Sequence, residues 1–265
     1  MKQIDIAQLK QHSVNDVIDA LKLPQDSRVD QRVPKKLLLE QGAPTAADKR
    51  QIQDGIEEIH WIAALKPINI GVPVYRDAIR EYLEIAVLTV VFRQSAKPAR
   101  LIELIHRAIP YPVLLLSSQN DLLTLSLAHK RWSQGESGKV VIEELHKTAA
   151  FKADKLGEPE TQFLASLAVS TLTAVDLFML YQAWIDLLSA LAAASLSGGF
   201  TLPISMRQAA QWRAALCNYT RILAELTALR NRAGKEKQLN RRVELNLQIK
   251  KLEAELAEIT TTLLP

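Results

Sequence analysis

The sequence predicts an α+β fold in which a sheet domain is followed by an all-helical region. Up to residue 153, short apolar runs alternate with turns, as in a mixed fold. From residue 154 the apolar spacing is helical almost to the end of the chain. We therefore predict an α+β domain over residues 1–153 and a helical domain over residues 154–265. The 265 residues are enough for two domains of this size.

The N-terminal half is predicted to form a mixed or antiparallel sheet with helices on one face. YLEIAVLTVVFR (82–93) is the clearest strand because its apolar run is nearly continuous. A helix starts at Pro98, and two further strands form a hairpin around Gln119-Asn120. Thr45 is a predicted N-cap, and residues 139–151 suit either a strand or a helix. One crossover helix is too few for a doubly wound sheet.

The helical half begins with a stretch that has few charges. No Lys or Arg lies between Leu156 and Met206, so this helix is expected to be buried on most of its circumference. It is apolar over more than the roughly 100° that one-sided packing requires. We therefore predict that Leu180 and Leu187, which share a face, contact a partner protein or a second copy of this chain.

Two heptad seams follow, and they predict a coiled-coil-like helical hairpin. The first seam consists of Trp212, Leu216, Tyr219, Leu223 and Leu226. The second consists of Leu245, Ile249, Leu252, Leu256, Ile259 and Leu263. The phase breaks at a connector that contains Gly234, which favours an antiparallel hairpin over one long kinked helix.

The connector between the seams is strongly basic. Residues 230–251 hold eight Lys or Arg and two Glu. Such a cluster can bind the phosphates of nucleic acid or an acidic protein surface, and the alternative is a solvated helix face. The residues predicted for this contact are Arg230, Arg232, Lys235, Lys237, Arg241 and Arg242.

Two polar clusters in the first half are candidates for a functional surface. One lies in ELIHRAIPYPVLLL, where a helix ends at Pro110, and the other is AHKR at the end of a strand. Glu103 and Arg107 are four residues apart on the helix and are predicted to pair. On the strand, His129 and Lys130 are predicted to face opposite sides of the sheet. The candidate residues are His106, Arg107, His129, Lys130 and Arg131.

The sequence indicates no catalytic group, cofactor site or metal site. No histidine pair has the spacing of a zinc hydrolase, and glycine loops for phosphate and a nucleophile elbow are absent from the sequence. Cys217 is the only cysteine, which excludes an intrachain disulfide. A nuclease would need carboxylates that converge on a divalent metal. The alternative to a non-enzyme is a metal-dependent nuclease, or another nucleic-acid enzyme, that uses Glu84, His106 and His129 of the sheet domain.

Charge and hydropathy favour a cytoplasmic protein without membrane contact. The net charge of +4 and the pI near 9.1 permit binding to nucleic acid without requiring it. The N-terminal residues lack the apolar core of a signal peptide. The most apolar region, residues 161–200, is interrupted by Asp176 and Asp186, whereas a transmembrane helix needs about 20 mainly apolar residues.

Several segments together resemble a known bacterial family. In order they are VPKKLLLEQG, ADKRQIQDGIEEIHWIAALKP, YLEIAV, ELIHRAIPYPVLLL, LSLAHKR and KEKQLNRRVELNLQIKKLEAEL. They resemble the domain-of-unknown-function family numbered 4391, over residues 14 to 258. Members are encoded beside DNA methyltransferases and helicase-type restriction subunits, so the resemblance implies restriction–modification or antiphage defence. It carries no catalytic residue.

The combined expectation is a non-enzymatic accessory or scaffold subunit of a DNA-targeting defence complex. Its partners would be a helicase or DNA methyltransferase subunit, DNA itself, or a second copy of the chain. A simple DNA-binding module is a further alternative.

Overall fold

A computed structural model describes residues 14–136 and 139–263 of the chain. The chain forms two compact units, the first ending at Leu188 and the second beginning at Ser189. This division lies inside a helix and is later than the boundary predicted after residue 153. The two positions differ because the segment up to residue 188 belongs to the sheet unit, although its composition is helical.

The helices and strands have the following bounds. The helices are α1 (residues 14–20), α2 (Lys35–Gln41), α3 (Ala46–Gly55), α4 (Pro67–Ile70), α5 (Pro98–Ala108), α6 (Glu158–Ala165), α7 (Leu177–Ser197), α8 (Met206–Lys235) and α9 (Leu239–Thr262). The strands are β1 (Arg28–Arg32), β2 (Ile56–Leu65), β3 (Tyr75–Arg76), β4 (Glu81–Tyr82), β5 (Ile85–Phe92), β6 (Val113–Gln119), β7 (Leu122–Trp132) and β8 (Val140–Lys147).

The first unit contains a six-stranded mixed sheet with the order β1-β2-β5-β6-β7-β8. Strands β5 and β6 are parallel, and every other neighbouring pair is antiparallel. Helix α5 makes the crossover that a parallel pair requires. Strands β3 and β4 form a separate two-stranded ribbon. The predicted α+β class and mixed sheet are confirmed, and the ambiguous stretch after residue 139 forms strand β8.

The two faces of this sheet are covered differently. Side chains such as Leu88 of β5 and Leu115 of β6 pack in one cluster with Leu101 and Ile105 of α5. Helices α2 and α3 complete that face. The first turns of α7 reach the other face, where Tyr181 bonds to the backbone of β6 and β7. The sequence did not predict that this helix covers the sheet.

Hydrogen bonds at the N-terminus of α3 cap this helix and join it to α5. The Thr45 side chain accepts a hydrogen bond from the Asp48 amide at 3.1 Å, which confirms the predicted N-cap of α3. Arg100 of α5 donates two hydrogen bonds to the Asp48 carboxylate, at 2.8 and 3.0 Å. The bonds from Arg100 and Thr45 lower the pKa of Asp48 to about 2. The buried end of α3 is thereby fixed to the crossover helix.

In the second unit, α8 and α9 run antiparallel. Trp212 near the start of α8 packs with Leu263 beyond the end of α9, and Leu229 near the end of α8 packs with Leu245 near the start of α9. One residue of the first predicted seam is wrong: Ile222 is buried, whereas Leu223 is 44% exposed. One residue is about 100° of helix rotation, which turns Leu223 outward. The coiled-coil geometry of this pair stays a prediction.

Helix α7 is long and apolar enough to cross a membrane by length and composition alone. However, 67% of its most apolar stretch is buried inside the protein. A core helix of a soluble protein has the same properties, so the burial agrees with the expectation of a soluble protein.

Candidate functional site

The two polar segments singled out in the sequence meet at one end of the β6–β7 pair. The Lys130 ammonium donates hydrogen bonds to the carbonyl oxygens of Ile109 and Tyr111, on either side of Pro110. Those carbonyls belong to the turn between α5 and β6, where a helix end leaves acceptors without an intrahelical donor. Lys130 therefore closes this turn from the neighbouring strand.

Lys130 is an unusual buried cation. It is 4% exposed, and it makes no ion pair within residues 14–136 and 139–263. Burial lowers its pKa to about 7. Its ammonium is therefore stabilised by carbonyl dipoles without a carboxylate partner.

His106 is the second member of this buried cluster. Its Nε2 lies 3.0 Å from the Ser126 hydroxyl, and its Nδ1 has no hydrogen-bond partner in the described part of the chain. Burial lowers the pKa of His106 well below its ordinary value, and the nearby charge of Lys130 acts in the same direction. His106 is therefore neutral at physiological pH.

His129 belongs to a different cluster on the opposite face of the sheet. Its Nδ1 is hydrogen-bonded to the Tyr82 hydroxyl, and its Nε2 lies 3.0 Å from the Gln182 side-chain oxygen. Because an amide oxygen only accepts, Nε2 carries the proton and Nδ1 accepts from Tyr82. The Gln182 amide donates in turn to Asp186 at 2.9 Å. This chain of bonds joins β4, β7 and α7.

A third polar group ends the pairing of the two strands. The Ala128 amide donates to the Tyr181 hydroxyl at 2.7 Å, and that hydroxyl donates to the Val113 carbonyl at 2.7 Å. The last regular pair at this end is Leu114 with Leu127. The tyrosine hydroxyl therefore stands where the next ladder bond would form.

Sequence reasoning missed Tyr82, Tyr181 and Gln182. A tyrosine in the otherwise apolar LFMLYQAW of α7 was the available signal, because a buried hydroxyl needs a partner.

The five polar residues that were predicted to form a functional surface differ in their exposure. His106, His129 and Lys130 are buried. Their helix and strand positions point inward, and the predicted opposite orientations of His129 and Lys130 are confirmed by their partners. Arg107 lies at the surface and bonds to Glu103 at 3.0 Å, as predicted. Arg131 is half-buried and donates to the Trp132 carbonyl.

The residues of the alternative nuclease site do not come together. Glu84 pairs with Lys66 at 3.1 Å, while His106 and His129 lie on opposite faces of the sheet. Across the described ranges, no group of three or more His, Cys, Asp or Glu side chains is placed to hold a metal ion.

A cleft of about 1110 Å³ lies on the face of the sheet that α2, α3 and α5 cover. Trp61 and Leu88 line it, and Arg107 is among its charged residues. The turn residues Ile109 and Tyr111 also line it. Lys130, which bonds to the carbonyls of these two residues, therefore stabilises one wall of the cleft.

The predicted basic residues are exposed where α8 meets α9. We call Arg232, Lys235, Lys237, Arg241 and Arg242 the basic tip. All five are exposed, and none forms an ion pair in the part of the chain that the structure describes. Arg230 differs, because it bonds to Glu253 of α9 at 2.7 Å. Arg232 and Lys235 also lie in the last turn of α8, where the helix dipole favours cations.

The prediction that Leu180 and Leu187 contact another chain is not supported by their positions. They are 0% and 3% exposed, so the chain itself buries both. The charge-free composition of α7 reflects burial within the protein.

Comparison with known families gives one result. The model of a family described as "Domain of unknown function (DUF4391)" matches residues 21–256. No curated protein and no solved structure matches the chain.

Proposed function

The chain belongs to the DUF4391 family, and from its exposed basic tip and the burial of its polar clusters we propose that it is a non-enzymatic accessory subunit that contacts nucleic acid. The proposed assembly is a DNA-targeting complex of the restriction–modification or antiphage defence type. In it, this subunit holds a catalytic partner close to DNA.

The observation that carries this proposal is the basic tip. Five cations project from the junction of two helices, without an acidic partner in the described part of the chain. When unpaired Lys and Arg side chains contact DNA phosphates, the counterions condensed on the DNA are released. That release supplies binding affinity that does not depend on the base sequence. The tip lacks an aromatic residue on which a base could stack, so phosphate contact is the mode that fits.

The buried polar residues support a binding role over a catalytic one. Lys130 bonds to backbone carbonyls, and His129 bonds to Tyr82 and Gln182. These bonds fix the turn and the sheet end, and the low exposure of both residues keeps a substrate from reaching them. The partner that the family resemblance implies is a helicase or DNA methyltransferase subunit, and the complex is proposed to act in the cytoplasm.

The test compares the full chain with a variant in which Lys235, Lys237, Arg241 and Arg242 are changed to Glu. Fluorescence anisotropy with a labelled DNA duplex at low salt should show binding by the wild type and a loss of at least tenfold in the variant, since phosphate contacts supply most of non-specific affinity. Incubation of the wild type with DNA and magnesium or manganese should leave the DNA intact.

The matched control carries the same charge change elsewhere. Lys49, Arg50, Lys147 and Lys152 are exposed residues of the first unit without an ion pair in the described part of the chain. Changing these four to Glu should preserve most of the binding. Equal losses in the two variants would mean that net charge, and not the basic tip, governs affinity. Metal-dependent cleavage of the DNA would contradict the non-enzymatic assignment.

A further inference from the structure

The outer face of α9 carries an apolar stripe that the described residues leave exposed. Leu239, Val243 and Leu247 are 64%, 50% and 63% exposed. They are spaced by four residues and therefore lie on one side of the helix. Leu245, two residues from both Val243 and Leu247, is buried and packs with Leu229 of α8. The inner face of α9 is thus used, and the outer stripe is a separate surface.

Cations surround this stripe. Arg242, Lys250 and Lys251 lie beside the stripe or at its C-terminal end, against the single acid Glu244, whereas Arg241 is two residues from both Leu239 and Val243 and lies toward the opposite side of the helix. The three cations near the stripe are exposed, and none forms an ion pair within the described ranges. At about 1.5 Å per residue, the stripe and its flanking cations extend over roughly 18 Å. The surface is therefore apolar along its centre, with a net positive charge at its edges and at its C-terminal end.

We propose that this outer face of α9 binds an acidic amphipathic helix of a partner protein. A partner helix of about three to four turns covers a surface of this length. Its apolar residues pack between Leu239, Val243 and Leu247 by the ridge-and-groove contacts of helix pairs. Its Asp and Glu residues pair with the flanking cations and fix its direction.

The observations disfavour the other occupants. A second copy of the same face would oppose cations to cations. Phosphates of nucleic acid gain nothing from three exposed aliphatic side chains. A membrane surface suits a helix with a broad apolar face that includes aromatic residues. The other side of α9 is already packed on α8, so only a narrow stripe is free.

The experiment uses the full chain and synthetic peptides of about 18 residues, which gives five helical turns. The acidic probe has Leu at helical three- and four-residue spacing and Glu at the remaining positions. A shuffled peptide has the same composition without that spacing, and a basic twin has Lys in place of Glu. Fluorescence anisotropy should show that the acidic probe binds at least about tenfold more tightly than either control peptide, a difference of about 1.4 kcal/mol.

The variant that removes the stripe is Leu239→Ser/Val243→Ser/Leu247→Ser. It should lose at least about tenfold in affinity for the acidic probe, since truncating central apolar contacts costs this much at interfaces. Leu223→Ser, on α8 at 44% exposure, is the matched control and should bind the probe like the wild type. Lys250→Glu/Lys251→Glu keeps the stripe and should also weaken binding, which provides a second variant should the triple change unfold the chain.

Three results would overturn the proposal. The first is equal binding of the acidic and shuffled peptides. The second is a wild type that sediments as a dimer and becomes monomeric when the stripe is removed. The third is retention on phosphatidylglycerol vesicles that the triple variant loses. The stripe variant keeps every cation of the basic tip and should bind DNA normally, so failure of this proposal is distinguishable from failure of the proposed DNA contact.

Discussion

Lys130, near the end of β7, donates a hydrogen bond to the carbonyl oxygen of Tyr111, which lies in the turn between α5 and β6. The same ammonium bonds to the Ile109 carbonyl. This relationship explains why the IHRAIPYP and AHKR segments occur together: one supplies a turn with two free acceptors, and the other supplies the donor. Their role is to build the end of the sheet and one wall of the cleft beside it.

Lys130→Met should destabilise the sheet unit. The substitution keeps an unbranched apolar stem but leaves the carbonyls of Ile109 and Tyr111 without this donor. Each buried acceptor left unpaired costs about 1–3 kcal/mol. We therefore expect a loss of at least about 2 kcal/mol in the free energy of unfolding near pH 10, where the cost of burying the Lys130 charge has largely disappeared and the neutral amine still donates. Urea denaturation measures this loss. The control is Arg131→Met, at a half-buried neighbouring position, which should cost about 0.5 kcal/mol or less. Equal effects in the two variants would show that the turn does not depend on Lys130.

Stability should also depend on pH through Lys130. The pKa of Lys130 is about 7 in the folded chain, below the ordinary lysine value of 10.5 that applies to the unfolded chain. Between these values the unfolded state binds more protons, so the free energy of unfolding rises with pH. We expect an increase on the order of 2 kcal/mol from pH 7 to pH 9. Lys130→Met should lack this part of the increase. Parallel pH profiles of wild type and variant would contradict the lowered pKa.

Tyr181→Phe should weaken the same sheet end from its other face. The change removes only the hydroxyl that joins the Ala128 amide to the Val113 carbonyl. Both groups are buried, and we expect a loss of about 1–3 kcal/mol in unfolding free energy. Tyr219→Phe is the matched control, because the Tyr219 hydroxyl makes no hydrogen bond in the described part of the chain. Hydrogen exchange at the Ala128 amide should accelerate in the Tyr181 variant alone.

Local features of the fold could be predicted from the sequence, whereas long-range ones could not. Strand β5, the Thr45 cap and the Glu103–Arg107 pair depend on spacings within a few residues. The bonds of Tyr181 join positions more than 50 residues apart, and the local pattern of α7 does not contain their partners.

The same difference between local and long-range features explains why the unit boundary and the burial of α7 differ from the sequence predictions. The change of composition near residue 154 reports where charges become rare, not where packing changes, so it did not mark the unit boundary at Leu188. The buried state of Leu180 and Leu187 likewise depends on which surface covers α7. The basic residues at the tip could be grouped from the sequence because charge density is a local property, and all of them are exposed in the structure.

The unit boundary leads to a prediction about fragments. A fragment that ends at Ala153 lacks Tyr181 and Trp184, which are fully buried in the intact chain. We expect it to expose apolar surface of the sheet, to bind the dye ANS and to melt with reduced cooperativity. A fragment that ends at Ser197 retains α6 and α7 and should bind little dye. If the fragment ending at Ala153 melts as cooperatively as the longer one, the domain boundary lies after residue 153, as the sequence predicts.

If the basic tip contacts phosphates, DNA binding must weaken steeply as the salt concentration rises. Each phosphate contact contributes about −0.9 to the slope of log K against log salt on duplex DNA. The measurement compares the wild type with a variant in which Lys235, Lys237, Arg241 and Arg242 are replaced by Gln. Our account predicts a steep negative slope for the wild type and a slope that is shallower by roughly three to four in the variant. Identical slopes for the two proteins, or wild-type binding that does not change with salt, would contradict it.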